Sequence, residues 1–190
     1  MKRVLAIDPI TKGFGFAVFD GPQLLVNWGL RGTKCWPYPR HRYLREIVKL
    51  LEVYSPDRIV VEDCLDARSR RGKRGRQLIE LIITLAGERD ITVRRISRAG
   101  VRRAFAADNA CTKYKIALAI VRRFPELALR LPPTRKPWMS EAAQMGVFDA
   151  VALALAFYAR QRTPKDGNSA AVTVSALKGG ETAPSIMRRR

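Results

Sequence analysis

"DRIVVEDC", residues 57–64, joins a run of β-branched apolar residues to two adjacent acids, Glu62 and Asp63. Apolar runs of this length usually lie inside a sheet, so the stretch predicts a buried strand that ends in carboxylates. Side chains alternate between the two faces of a strand, and Asp63 is therefore expected to point away from Glu62. We interpret Glu62 as a candidate site residue and Asp63 as a turn or capping residue.

The order of the other segments predicts a single mixed α/β domain. Strands are expected at RVLAID, FGFAVFD and QLLVNWGL, which form a three-stranded meander, and at RIVVED and ITVRRIS. Apolar residues at helical spacing predict helices near residues 38–54 and 77–89. Helices are also expected at roughly 98–106 and 112–124, and a last helix from near 141 or 145 to 160. We expect a mixed five-stranded sheet in the order βββαβαβαα with helices on both faces, because the first and fourth strands are apolar throughout.

The chain is strongly basic, with 36 Lys and Arg against 17 Asp and Glu and a formal net charge of +19. Residues 163–190 hold five basic and two acidic residues, so +16 of this charge belongs to residues 1–162. This balance favours a polyanion as the partner, most commonly nucleic acid. The last segment is rich in Gly, Ser, Thr, Ala and Pro, and we expect it to be a disordered tail outside the domain of residues 1–162.

Other classes of protein are disfavoured by the composition. Hydrophobic residues make up 47% of the chain, which excludes wholesale disorder. No apolar run is long enough to span a bilayer and no secretory signal pattern is present, so no membrane partner is expected. The three cysteines form neither a zinc pattern nor an even disulfide framework. We expect a cytoplasmic, nucleoid-associated protein with reduced thiols.

Three carboxylates are expected to meet at one edge of the sheet. Asp8 ends the first strand, Glu62 ends the fourth, and Asp149 lies in MGVFDAVALALAFYA, a helix that is apolar nearly all round. An ionised acid inside such a helix is costly unless a cation pairs with it. If the two strands are adjacent and parallel, the carboxylates converge and favour Mg²⁺ or Mn²⁺ over zinc. The alternative is that one acid begins a turn, one is a solvated strand end and one makes a structural salt bridge.

These three segments together resemble the RuvC family of Holliday-junction resolvases, within the RNase H-like nuclease superfamily. The resemblance rests on VLAIDPITKGFGFAVFD, RIVVED and FDAVALALA, in that order and spacing over about residues 2–160. It implies an RNase H-like fold, a homodimer, two Mg²⁺ ions and cleavage of branched DNA. Asp8, Glu62 and Asp149 match the metal-binding acids of the family, and Lys113 in CTKYKIALAIV matches approximately a basic residue that precedes a late helix.

The sequence departs from the family pattern one helical turn before Asp149, where another acid or a histidine is common. Gly146 occupies that place, and Glu141 is the nearest acid. Eight residues extend roughly 12 Å along a helix, so Glu141 can join the metal ligands only if the chain bends before Gly146. The loop after Glu62 also differs, because it is arginine-rich and lacks an aromatic wedge for prying bases apart.

Basic residues near these acids are expected to bind nucleic acid. The loop ARSRRGKRGRQ directly follows the fourth strand, and we expect it to become ordered only when nucleic acid binds. Lys113 or Lys115 would neutralise charge that develops on the phosphate, while two metal ions flank the scissile bond. The full set of expected phosphate contacts is Lys12, Arg68, Arg70, Arg71, Lys73, Arg74, Arg76, Lys113 and Lys115.

The leading hypothesis is a Mg²⁺-dependent endonuclease that cleaves Holliday junctions through attack of a metal-activated water on a phosphodiester. Nothing in the sequence separates branched DNA from RNA or unbranched DNA as the substrate. The missing fourth acid leaves open a nucleic-acid-binding module with reduced catalysis. An actin-like ATPase or sugar kinase would need a second copy of the fold, for which 190 residues leave no room. The broad apolar face of the helix over residues 77–89 fits a partner subunit and a well-buried helix equally.

Overall fold

The computed structural model describes residues 2–32, 40–66, 69, 71–136 and 138–162. The regular elements in these ranges are β1 (Arg3–Ile10), β2 (Gly13–Asp20), β3 (Leu25–Gly32), α1 (Arg40–Tyr54), β4 (Arg58–Glu62), α2 (Lys73–Gly87), β5 (Thr92–Ile96), α3 (Arg98–Ala104), α4 (Lys113–Arg123) and α5 (Met145–Arg162). Two short 3-10 helices, Ala106–Asp108 and Pro125–Arg130, flank α4. The predicted disordered tail and the first two residues of the predicted 38–54 helix lie outside the described residues.

The five strands form one mixed sheet in the order β3-β2-β1-β4-β5. β1, β2 and β3 are antiparallel neighbours, as expected of a meander, while β4 pairs parallel with β1 and β5 pairs parallel with β4. Ile7 lies opposite Val61, so the next residues, Asp8 and Glu62, come at the same edge of the sheet. The predicted mixed sheet, with its first and fourth strands adjacent and parallel, is confirmed.

Helices cover both faces of the sheet, as predicted. α1 and α2 pack on one face, and α3, α4 and α5 pack on the other. Val4 and Ala6 belong to the core beneath α5, and because side chains alternate along β1, Asp8 follows them onto that face. Glu62 follows Val60 onto the same face of β4. The sheet therefore presents both acids toward the helix in which the third acid is predicted.

Several predicted boundaries are wrong. α2 begins at Lys73 rather than near residue 77, so Lys73, Arg74 and Arg76 belong to its first turn and not to a loop. The three helices expected after β5 are present, and α3 ends at Ala104 rather than at residue 106. α5 begins at Met145, the later of its two predicted starts, and Glu141 lies before it in a non-helical segment. Lys and Arg are favourable helix formers, and the absence of apolar residues concealed the exposed first turn of α2.

The helices bury their apolar faces within the chain. The residues of α2 that are buried against the sheet and α1 include Leu78, Ile79, Leu81, Ile82 and Leu85. This favours the well-buried interpretation of that broad apolar face over a partner subunit. No helix in the described ranges is long and apolar enough to cross a membrane.

Candidate active site

Asp8 and Glu62 lie at the carboxyl ends of β1 and β4. Each is only 3% exposed, and they are the two buried charged residues in the described part of the chain. Parallel strands bring their carboxyl ends to one edge of a sheet, which is where α/β folds usually carry their sites. Asp63 is a turn residue, as predicted, since its carboxylate accepts a hydrogen bond from the N–H of Leu65 at 3.1 Å. Of the two adjacent acids, the fold therefore buries Glu62.

Arg71 joins the two buried acids. Its Nε donates to Glu62 Oε2 at 2.6 Å, its Nη2 contacts the carboxylates of both Asp8 and Glu62, and its Nη1 donates to the carbonyl oxygen of Pro9. Arg98, the first residue of α3, donates from Nε to Glu62 Oε1 at 2.8 Å. Such charge-assisted hydrogen bonds are stronger than neutral ones. The sequence predicts Arg71 as a phosphate contact, but in the structure it is an ion-pair partner inside the site.

Lys113 joins a second pair of acids. It is the first residue of α4, and its Nζ lies 2.6 Å from Glu141 Oε1 and 2.7 Å from Asp149 Oδ2. Glu141 reaches Lys113 because the chain turns just before α5, where the N–H of Met145 donates to the carbonyl oxygen of Ala142 at 3.0 Å. Burial raises the pKa of Asp149 in spite of Lys113. Burial lowers the pKa of Lys113, but its two carboxylate partners outweigh this and raise it.

Burial and neighbouring charges shift the two strand-end acids in opposite directions. Burial and the nearby Asp149 raise the pKa of Asp8 to about 7, against the lowering effect of the cations around it. Burial also acts to raise the pKa of Glu62, but Arg71 and Arg98 outweigh it and hold that pKa below its usual range. The site therefore contains one acid that readily takes up a proton near neutral pH beside one that stays ionised.

One cavity of about 610 Å³ holds these groups together. Asp8, Glu62 and Asp149 all line it, so two strands and one helix bring the three predicted acids to a single place. Four cations and several apolar side chains complete the lining; they include Arg71, Arg98, Arg102, Lys113, Ile96, Val101 and Ile116. A concave site with convergent ionisable groups and shifted pKa values is the usual form of an active site.

The donor atoms in the cavity are of the type that hard divalent cations bind, since all three acids offer carboxylate oxygens. In this structure, however, no three His, Cys, Asp or Glu side chains of the described residues are grouped closely enough to hold a metal ion. The carboxylates form ion pairs with cationic side chains instead. The guanidinium of Arg71 lies between Asp8 and Glu62. The ammonium of Lys113 lies between Asp149 and Glu141. The residues therefore fit a divalent cation in chemistry, and their side chains must rearrange for one to bind.

The remaining predicted phosphate contacts that the structure describes do not line the cavity. Arg68 and Arg70 are outside the described residues. The others are exposed, in the turn after β1, in the first turn of α2 and in α4, and they are Lys12, Lys73, Arg74, Arg76 and Lys115. Their prediction as phosphate contacts stays a prediction.

Two arginines of the site were missed by reasoning from the sequence. Arg98 binds Glu62, and Arg102 lines the cavity about one turn further along α3. β5 runs parallel to β4, so the residues just after β5 reach the same sheet edge as Glu62. Ser97 caps the beginning of α3 at that edge, where its hydroxyl oxygen accepts from the N–H of Gly100 at 3.1 Å. A strand followed at once by a capped, arginine-rich helix was the signal that could have found them.

Known RuvC structures share this fold. The chain is similar to a Thermus thermophilus RuvC structure, with a TM-score of 0.59 and 21% identity over 85% of this chain and 97% of that chain. The structure of T. thermophilus RuvC in complex with Holliday junction substrate matches with a TM-score of 0.59 and 19% identity, over 85% of this chain and 96% of that chain. The structure of the yeast mitochondrial Holliday junction resolvase matches with a TM-score of 0.56 and 16% identity, over 85% of this chain and 79% of that chain. No family model and no curated protein matches the chain. The chain has a RuvC-like, RNase H-like α/β fold, as the sequence resemblance predicts.

Proposed function

We propose that the chain is a metal-dependent endonuclease of RuvC type that hydrolyses a phosphodiester in branched DNA. One observation carries this proposal: within a RuvC-like fold, Asp8, Glu62 and Asp149 come from two strands and a helix to line one cavity. The charge of +16 on residues 1–162 supports a polyanion as the substrate. The similarity to a RuvC bound to a Holliday junction supports a branched one.

The chain's own groups divide the chemistry between them. Mg²⁺ or Mn²⁺, held by the carboxylates, would lower the pKa of a water and stabilise the leaving oxygen. The three acids would hold such an ion, and Glu141 would supply the further carboxylate that a second ion needs. Lys113 holds a positive charge beside Asp149, where it neutralises charge that develops on the phosphate. Arg98 and Arg102 orient the phosphodiester in the cavity.

The exposed cations around the cavity would hold the rest of the nucleic acid. Lys12 follows β1 and the first turn of α2 follows β4, so both lie toward the sheet edge that carries the acids. Their contacts would be with phosphates and so would give affinity without sequence preference. The homodimer that the resemblance implies would place two such cavities on one junction, one for each strand to be cut.

A second candidate function is a nucleic-acid-binding module without catalysis. Arg71 and Arg98 neutralise the strand-end acids in this structure, and a chain in which they never leave those acids would bind DNA but not cut it. RNA or unbranched DNA as the substrate of an active enzyme is the other alternative.

A cleavage assay decides between these functions. The protein is incubated in Mg²⁺ or Mn²⁺ with a four-way junction, a linear duplex of matching sequence and a structured RNA. Preferential cutting of the junction, lost in Asp8→Asn, is the expected result. Binding of the junction with no cutting of any substrate favours the binding module instead. Metal-dependent cutting that survives in Asp8→Asn shows that the acids are wrongly assigned.

A further inference from the structure

The guanidinium of Arg71 lies between the carboxylates of Asp8 and Glu62. Arg71 engages all three of its guanidinium nitrogens, on Glu62, on the carbonyl oxygen of Pro9 and on Asp8. The side chain of Arg71 is 15% exposed and that of each acid 4%. Breaking a buried network of this kind leaves uncompensated charges away from water. Arg71 is therefore part of the site rather than a surface arginine.

The first turn of α2 is shaped to let this side chain pass. A Cβ on Gly75 would lie 2.6 Å from Arg71 Cδ and 2.8 Å from Arg71 Cγ. The side chain of Arg71 therefore passes through the space that a side chain at position 75 would fill. The backbone is held as well, because the carbonyl oxygen of Arg71 accepts from Arg76 Nε at 3.0 Å and its N–H donates to Ser69 Oγ at 3.4 Å. Backbone and side chain are thus both positioned for the bridge.

Arg71 and a divalent cation compete for the oxygens of this pair. The oxygens that face the guanidinium are Asp8 Oδ1 and Glu62 Oε2. A Mg²⁺ ion bound to either oxygen at about 2.1 Å would lie within about 5 Å of a guanidinium nitrogen. At that separation in a buried site the two positive charges repel strongly. Metal binding to these oxygens is therefore weakened while Arg71 stays in the pair.

We propose that Arg71 is a built-in counter-cation that closes the Asp8–Glu62 pair in the protein without nucleic acid. It gives way to a divalent cation when its guanidinium moves to a phosphate of the bound nucleic acid. This inference rests on the proposed function, since it takes the pair to be a metal site. A guanidinium binds phosphate in the same bidentate manner as carboxylate, so a phosphate at the cavity offers Arg71 an equivalent partner. Metal binding is thereby coupled to substrate binding.

The first measurement is Mn²⁺ binding to the full chain without nucleic acid, by calorimetry. We expect Arg71→Gln to bind Mn²⁺ at least about fivefold more tightly than the wild type, the lower end of a typical coupling between sites. Arg89→Gln removes the same charge from an exposed residue beyond the other end of α2, and we expect an affinity within about twofold of the wild type. In the Arg71→Gln background, Asp8→Asn should abolish the gain.

A second variant displaces the side chain and keeps its charge. Gly75→Ala places a methyl group on the path of Arg71, and it too should bind Mn²⁺ more tightly than the wild type. Circular dichroism checks whether Arg71→Gln folds. If it does not fold, Gly75→Ala takes its place in the comparison with the wild type. Gly72→Ala is the matched control, because a Cβ there meets nothing within 4 Å.

The coupling to nucleic acid is measured with a labelled four-way junction by fluorescence anisotropy. Ca²⁺ should raise the junction affinity of the wild type by a larger factor than it raises the junction affinity of Arg71→Gln, since coupling between two ligands is reciprocal. Equal factors overturn the coupling.

The Mn²⁺ titrations separate this inference from the proposed function. Equal Mn²⁺ affinities in the wild type, Arg71→Gln and Gly75→Ala overturn the counter-cation and leave the metal site standing. No Mn²⁺ binding by any of the three overturns both.

Discussion

Gly146 of α5 lies in backbone contact with Gly15 of β2, so closely that a Cβ on Gly15 would overlap the Gly146 carbonyl oxygen. A Cβ on Gly146 would in turn lie 2.5 Å from Ile10 Cγ2. The beginning of α5 packs on β1 and β2 because both positions lack a side chain. This contact sets the place of Asp149 one turn further along α5, and it leaves no room at 146 for the acid or histidine that is common in the RuvC family.

Gly15→Ala tests this contact directly. It is expected to lower the free energy of unfolding by about 1–3 kcal/mol, because the added methyl group meets backbone atoms that cannot rotate away. Urea denaturation measures the change. Gly87→Ala is the control, since a Cβ there meets nothing within 4 Å, and it should be neutral or slightly stabilising. Wild-type stability in Gly15→Ala would contradict the close packing.

Under the proposed function, Glu141 would take the place of the acid that Gly146 cannot carry. Glu141→Gln is expected to slow metal-dependent cleavage roughly tenfold, because Lys113 loses one of the two carboxylates that hold it beside Asp149. Single-turnover cleavage of a four-way junction at saturating Mg²⁺ measures the rate. Glu126→Gln, exposed in the 3-10 helix before the proline-rich segment, should cleave at the wild-type rate. An unchanged rate in Glu141→Gln would remove Glu141 from the site.

The acids of the site are predictable from the sequence because each one breaks a local pattern. Asp8 and Glu62 come at the ends of apolar strands, and Asp149 interrupts an apolar helix. A carboxylate in such a place is costly without a partner, and parallel strands bring their ends to one edge. The mixed sheet is predictable for a similar reason, since strand and helix periodicities alternate clearly along the chain.

The cations of the site break no local pattern, and for Arg98 and Arg102 the signal is the weaker one of a strand followed at once by a capped, arginine-rich helix. An arginine is ordinary in so basic a chain, and Arg71 reaches Asp8 across 63 positions of sequence. Its place in the site depends on the room left at Gly75 and on where α2 begins, which are properties of the folded helix. Arg98 depends on the parallel pairing of β4 with β5, which is a relation between strands rather than a motif.

Asp8 gives the stability of the protein a distinct pH dependence. Its pKa is about 7 in the folded protein against 3.8 ordinarily. Between these values the folded protein keeps a proton that the unfolded chain releases, so this group makes the free energy of unfolding fall as pH rises. Asp8→Asn removes the titration. The variant should therefore be close to the wild type near pH 4 and more stable above pH 7, by up to about 4 kcal/mol.

Urea denaturation in EDTA at pH 4, 6 and 8 measures this difference in stability. Acids that do not interact with Asp8 titrate alike in both proteins and cancel in the difference, whereas Asp149 and Glu62 interact with Asp8 and so titrate as part of the measured effect. Asp108→Asn, at an exposed position, is the matched control. A difference that stays constant from pH 4 to pH 8 would contradict the raised pKa of Asp8.

Arg102 and Arg103 are adjacent exposed arginines of α3, and of the two it is Arg102 that lines the cavity. If nucleic acid places a phosphate there, Arg102→Ala should weaken junction binding and reduce the slope of log affinity against log salt by about 1. Arg103→Ala removes an equal charge one residue away and should change the slope less. Anisotropy titrations over a range of salt concentrations in EDTA measure both slopes. Because the two variants have the same net charge, equal slopes would mean that the junction is held by the general field of the basic domain and not by a phosphate inside the cavity.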